Sequence, residues 1–289
     1  MNKRNNRRHG MIKSILLPID GSKYSESVLD YGKFFAKKLD AFLRIISVID
    51  IRLFDWSMAT GADSFVPVMP TSEFQEESQK IQDEKAQKTI DKAASVLKNS
   101  EVKYELLKVS GIPVDEICQH AMKTDLVIMG IHGEYERWSQ KLLGSTIEAV
   151  TRQISKPVLL VDKEFVEISR LHCGYDGSPS SNRALQMASE LANILQMKLE
   201  VITVCDSGEE RKMLLNEASD YLDPYGIEYN LRHETGDAAD VLINACKDAP
   251  EPPMTIIGSY GHSRLREAII GSTTVDVMRN ATKPVLLAK

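Results

Sequence analysis

Short apolar runs stopped by Gly, Asp or Ser alternate along this chain with stretches whose apolar positions recur every three to four residues. Residues 13–19 and 42–49 are runs of the first kind and predict buried strands. Between them Val28, Tyr31, Phe35 and Leu39 fall at helical spacing. Strand, helix and strand make a βαβ unit, which implies a parallel sheet. A long polar helix is expected over 73–98, with Ile81, Ile90, Ala94 and Leu97 as its apolar stripe. A third strand over 103–109 leads through Gly111 to a helix carrying Val114, Ile117 and Ala121. A fourth strand, 126–129, is followed by a short helix and a fifth strand, 157–161. Its proline stands at the start, where a missing N–H is tolerated.

The same order then repeats. Strands are expected at 170–175, 199–204, 228–233, 254–257 and 284–288. Leu185, Ala188, Ala192 and Leu195 mark one helix face, 209–222 a second helix, and Val241, Leu242 and Ala245 a third, with Asp237 as its N-cap candidate. Residues 20–50 and 176–206 align without a gap, and 144–161 and 271–288 agree at 10 of 18 positions. Repetition at this level signals duplication. The expected fold is therefore two tandem doubly wound α/β domains, 11–163 and 167–289, each a five-stranded parallel sheet. The fifth strands are apolar edges that need covering. Pairing them with each other would make a pseudo-dimer within one chain; association of two chains is left open.

In open parallel sheets, ligands sit beyond the carboxyl ends of the strands, where strand order reverses. Two loops fall there in each half. The first follows strand one: Asp20-Gly21-Ser22, and Tyr175-Asp176-Gly177. The second follows strand four: Gly130 to Gly133 leading to Gly144-Ser145-Thr146, and Gly258-Ser259 through Gly261 to Gly271-Ser272-Thr273-Thr274. Ser272 and Thr273 lie near an expected helix start. Glycine allows close backbone approach, and free N–H groups with the helix dipole favour a phosphate. A loop whose glycines only satisfy turn geometry is the alternative. The convergence of both loops on one ligand points to a phosphorylated small molecule.

These residues resemble those of the universal stress protein family, and the chain resembles a tandem of two UspA-type domains. The family's nucleotide-binding members carry Gly-x2-Gly-x9-Gly-Ser/Thr, which Gly258, Gly261, Gly271 and Ser272 match, with nine residues between Gly261 and Gly271. The resemblance implies that Asp176 binds ribose or adenine and that Val204 lies along the adenine. It also implies that the amides of Gly261, Gly271, Ser272 and Thr273, with the Ser272 hydroxyl, hold the phosphates of ATP or AMP. Mg²⁺ or Mn²⁺ would accompany the phosphates alone. Arg264 is either a phosphate neighbour or a solvated charge. The first half keeps Asp20, Val48 and Ser145, but ten residues separate Gly133 from Gly144, and Glu134 and Glu136 fall within that stretch. Like charges close to a triphosphate lower affinity. The nucleotide is therefore expected chiefly in the second half.

Composition narrows the classes. A formal net charge of −5 argues against a polyanion binder, and the basic residues of 1–10 read as a disordered tail in preference to a nucleic-acid contact. No apolar run is long enough to span a bilayer. Cys118, Cys173, Cys205 and Cys246 are scattered, which fits free thiols in a reducing, cytoplasmic compartment. There is no P-loop, no kinase signature and no metal-ligand spacing. His132 and His262 occupy different positions in the two repeats, so they read as loop histidines. Residues 51–72 are expected to form a long surface loop or lid. A non-enzymatic nucleotide-binding regulator with a protein partner, a slow ATPase or nucleotidyl transferase, and a non-binding scaffold are the functions these features allow.

Overall fold

The computed structural model describes residues 12–52, 72–133, 144–259 and 271–289, with side chains from residue 76 in the second of these segments. In the first half the elements are β1 (Ser14–Pro18), α1 (Lys23–Leu39), β2 (Phe42–Asp50), α2 (Ser72–Leu97), β3 (Tyr104–Gly111), α3 (Pro113–Ala121), β4 (Leu126–Gly130), α4 (Ser145–Gln153) and β5 (Val158–Val161). In the second they are β6 (Arg170–Gly174), α5 (Pro179–Leu195), β7 (Lys198–Val204), α6 (Gly208–Leu222), β8 (Tyr229–Glu234), α7 (Ala238–Asp248), β9 (Pro253–Gly258), α8 (Ser272–Asn280) and β10 (Val285–Ala288).

All ten strands form one sheet in the order β3-β2-β1-β4-β5-β10-β9-β6-β7-β8. Pairing is parallel within each half. The exception is the seam, where β5 and β10 run antiparallel with Leu159 opposite Leu286. The two apolar fifth strands thus cover each other, and the chain is its own pseudo-dimer. The chain lays β1, β2 and β3 outward and returns to β4 on the other side of β1; β6 and β9 repeat this. The switch points therefore lie between β1 and β4 and between β6 and β9.

Alternation along the strands divides the core in two. Ile15, Leu17, Leu126 and Ile128 point to the face covered by α1, α2, α5 and α6, whose Phe35, Leu97, Leu185 and Leu222 complete that layer. Leu16, Val127, Met129 and Leu160 point to the face covered by α3, α4, α7 and α8, through Ile117, Val150, Leu242 and Val277. Both layers run unbroken across the seam. The connection between the halves is also held. The Tyr31 hydroxyl donates to the Val166 carbonyl and accepts from the Val166 N–H, both at 3.1 Å, and burial pushes its pKa up to about 12. Phe165 stands edge-on to the Tyr31 ring.

Asp237 caps α7, its carboxylate accepting from the N–H groups of Ala239 and Asp240. One expectation needs correction. The buried stripe of α2 is Ala86, Thr89, Ile90, Ala93 and Leu97, whereas Ile81 is 58% exposed. At α8 the N-cap is Gly271, without a side-chain cap, and Ser272 and Thr273 are the first two helical residues, next to the cap as expected. Pro157 and Pro284 stand just before their strands, where their carbonyls accept from the N–H groups of Val127 and Thr255.

Candidate functional site

The first-half switch point opens into a cleft of about 330 Å³ at the carboxyl edge of β1, β2 and β4. It is lined by Asp20 and Ser22 after β1, Val48 and Asp50 at the end of β2, and Gly130, His132 and Gly133 after β4. Gly144, Ser145 and Thr146 at the start of α4 close the far side. Seven residues marked in the first half from sequence are therefore neighbours in space.

The Asp loop is held by its own hydrogen bonds. Gly21 takes φ 80°, a conformation suited to glycine. The Asp20 carboxylate accepts from the Ser22 N–H at 2.9 Å and from the Ser25 hydroxyl at 3.1 Å. The Ser25 hydroxyl in turn accepts from the Asp20 and Gly21 N–H groups. The second half repeats the turn, with Gly177 at φ 73° and the Asp176 carboxylate accepting from the Ser178 N–H at 3.0 Å. Burial pushes the Asp176 pKa up, but hydrogen bonds from Ser178 and Ser181 outweigh it and hold the carboxylate below its ordinary range.

The glycines of the second loop do different things. A Cβ on Gly130 would strike the Cβ of Tyr24 in α1, and one on Gly258 would strike the Ser180 backbone in α5. These first glycines let strand and helix pack closely and do not themselves make room for a ligand. Gly133 is different, because a Cβ there would lie 2.9 Å from the Asp20 carboxylate. That distance brings the glycine loop against the Asp loop. Gly144 is the N-cap of α4 and has no side chain to satisfy the first-turn N–H groups. Those groups face the cleft together with the positive end of the helix dipole.

The remaining wall was not legible from the sequence. Gln82, Lys85, Ala86 and Thr89 of α2 line the cleft, with Arg52 after β2 and Pro113 at the start of α3. Arg52 is clamped to Asp50 by two hydrogen bonds, 2.9 and 2.6 Å, which hold the Asp50 carboxyl below its ordinary range against the opposing effect of burial. His132 lines the cleft edge-on to Tyr24, with ring centroids 5.8 Å apart.

In the second half, Asp176 and Val204 stand at the strand ends expected of them, while several other marked residues are engaged in the fold. Tyr175 is buried, with its hydroxyl 3.2 Å from both Asn182 and Glu217. Burial and the Glu217 charge push its pKa up to about 12. Ser259 is buried, its N–H donating to Ala288 and its carbonyl accepting from Arg183. The Thr274 hydroxyl donates to the Gly258 carbonyl, tying α8 to β9. Gly271, Ser272 and Thr273 form the start of α8. Gly261, Arg264 and His262 lie outside the described residues, as do Glu134, Glu136 and most of the 51–72 loop. Among the described residues no group of His, Cys, Asp and Glu is arranged to hold a metal ion, and no helix is long and apolar enough to cross a membrane.

An open parallel sheet built twice in one chain, with an Asp loop and a glycine-bounded helix start meeting at the switch point of its first half, defines a tandem doubly wound α/β protein. The sequence profile of the universal stress protein family matches residues 11–162 and 167–289. The chain belongs to that family. A universal stress protein of Synechocystis sp. is 27% identical over 288 residues, which span 95% of this chain and 99% of the relative. One from Mycolicibacterium smegmatis is 25% identical over 296 residues, spanning 95% and 96%. The crystal structure of a universal stress protein from Archaeoglobus fulgidus shares the fold over 96% of this chain and 98% of its own, with a TM-score of 0.76 at 23% identity.

Proposed function

We propose that this protein is an adenine-nucleotide-binding regulator of the stress response, holding ATP or AMP at the carboxyl edge of its sheet. The observation that carries this reading is the first-half cleft, where Asp20, Val48, Gly133 and the start of α4 face one space. The residues suit the ligand. The first-turn N–H groups of Ser145 and Thr146 and the helix dipole receive the phosphates. Val48, Ile46 and Met129 give the base an apolar floor. Asp20 stands beside Gly133, where a ribose hydroxyl can donate to it. The volume lies at the small end of ligand pockets, about 300–1,000 Å³. Mg²⁺ or Mn²⁺ accompanies the phosphates when a triphosphate is bound.

The second half carries the matching nine-residue spacing and the same Asp turn, so we place a nucleotide there as well and expect it to bind more tightly. Residues 260–270 of that half lie outside those described. Occupancy then changes the loops at the carboxyl edge, and a protein partner reads that change.

The test is to denature the purified protein and identify any released nucleotide by mass and by ratio to chain. One adenine nucleotide per chain, lost in Gly271→Val and kept in Gly144→Val, supports a dominant second-half site. Two per chain support both sites. None, with no binding of added ATP and Mg²⁺, removes the reading and leaves a scaffold. Sustained release of ADP from excess ATP would favour a slow ATPase over a regulator.

A further inference from the structure

The two halves differ most in the helix that follows the second strand. Gly21 and Gly177 fix the comparison. A Cβ on Gly21 would lie 2.6 Å from the Thr89 hydroxyl in α2, and one on Gly177 would lie 2.7 Å from Leu214 in α6. Thr89 and Leu214 are therefore counterparts. The same offset pairs Ala93 with Ala218 and Leu97 with Leu222, all four buried. Counting back one turn, Lys85 corresponds to Glu210. Helix α6 begins at Gly208, whereas α2 begins at Ser72, so residues 72–82 have no helical counterpart in the second half.

The charge of this wall differs as well. Lys85 lines the first-half cleft together with Arg52. Arg52 follows the end of β2, just past the last residue of the gapless alignment of 20–50 with 176–206, and the second half runs from there directly into α6. The first half thus presents Lys85, beside an Arg52 paired with Asp50, where the second has Glu210.

The cleft orients its ligand. The 5′-phosphates belong at Gly144 and the start of α4, and the base and ribose lie toward Asp20 and Val48. Thr89 touches the loop of Asp20, so α2 stands on the ribose side. A cationic side chain on that side is how nucleotide sites accommodate a phosphate on a ribose hydroxyl. A carboxylate there repels it.

We propose that the first-half site selects adenine nucleotides carrying a second phosphate on the ribose 2′ or 3′ oxygen, with Lys85 and Arg52 reading that group, and that the second half rejects it. This rests on the nucleotide-binding reading above. Lys85 and Arg52 are specificity-determining residues of the first half, and the two halves of one chain sense different ligands.

The test is calorimetric titration of the full chain with AMP, adenosine 2′,5′-bisphosphate and adenosine 3′,5′-bisphosphate. Each carries the same 5′-phosphate, so only the second phosphate varies. In the Gly271→Val chain, which reports the first half, one bisphosphate is expected to bind about tenfold or more tighter than AMP. Lys85→Glu and Arg52→Ala should each reduce that preference. Lys88→Glu makes the same charge change at an exposed position on α2 that does not line the cleft, and should leave the preference intact. In the Gly144→Val chain neither bisphosphate should gain over AMP. First-half binding of AMP with no gain from either bisphosphate overturns the proposal, as does a gain that survives Lys85→Glu. Binding of AMP and ATP to neither half removes the nucleotide reading itself, and this inference with it.

Discussion

His172→Leu should make the protein more stable and less sensitive to acid. His172 lies in β6 at 1% exposure, and neither ring nitrogen has a hydrogen-bond partner. Its nearest carboxylate, Glu200 on β7, is 3.6 Å from Nε2. Burial, and after it the charges of Arg170 and Arg232, lower its pKa from 6.5 to about 4. The imidazole is therefore neutral in the folded chain. The gapless repeat puts Leu16 at the same place in the first half, fully buried on the same face of the sheet. The sign of the pH effect follows from proton uptake. Above pH 6.5 neither state binds the proton, and the folded state keeps its full stability. As pH falls from 6.5 toward 4 the unfolded chain takes up a proton that the folded chain refuses, so stability falls. The loss reaches about 2–3 kcal/mol by pH 4 at about 1.4 kcal/mol per pKa unit, and levels off below that. At neutral pH, replacing an unpartnered buried imidazole with an apolar side chain should add about 1–2 kcal/mol. The assay is urea unfolding of both proteins at several values between pH 7.5 and 4. The difference between them should widen as pH falls. His172→Asn keeps a polar group and removes the titration, so it should flatten the pH dependence without raising stability. An identical pH slope in wild type and His172→Leu would refute the reasoning, and so would lower stability of the leucine variant at pH 7.5.

Three further outcomes follow from packing and hydrogen bonding. Gly258→Ala should destabilise the nucleotide-free protein by about 1–3 kcal/mol, because the added methyl meets the Ser180 backbone; thermal unfolding without ligand checks this, and an unchanged melting temperature would show that the glycine serves only a ligand. Tyr31→Phe removes both hydrogen bonds to Val166 and should cost about 1–2 kcal/mol; faster proteolysis within 162–169 would show the connection released. Asp237→Ala removes the α7 cap and should cost about 1 kcal/mol, read by chemical denaturation.

Much of this architecture was written in local patterns. Val28, Tyr31, Phe35 and Leu39 declared the buried face of α1, and all four are buried. The Asp20 and Asp176 turns were legible because a glycine with positive φ and a nearby Ser make an autonomous unit. Other features had no local signal. The polar stretch around Gln82 and Lys85 reads as a solvated helix face, and it becomes a cleft wall only because α2 packs beside the loop of Asp20 and Gly21. Ile81 belonged to the helical period and yet is exposed. The first glycine of each motif looked like ligand geometry, but Gly130 and Gly258 are required by Tyr24 and Ser180, more than seventy residues away in the chain.

By itself the amino-acid sequence determined the duplication, the order of strands and helices, the two apolar faces of each sheet and the two loops at its carboxyl edge. These depend on periodicity and turn chemistry among neighbouring residues, and such short-range terms survive in any arrangement of the elements. Only the tertiary structure decided that β5 and β10 pair antiparallel, that α2 walls the first-half cleft, and that His172 sits unpartnered where Leu16 sits among apolar neighbours. Those outcomes depend on which distant surfaces meet, and burial, charge and hydrogen bonding acquire their values only at that meeting.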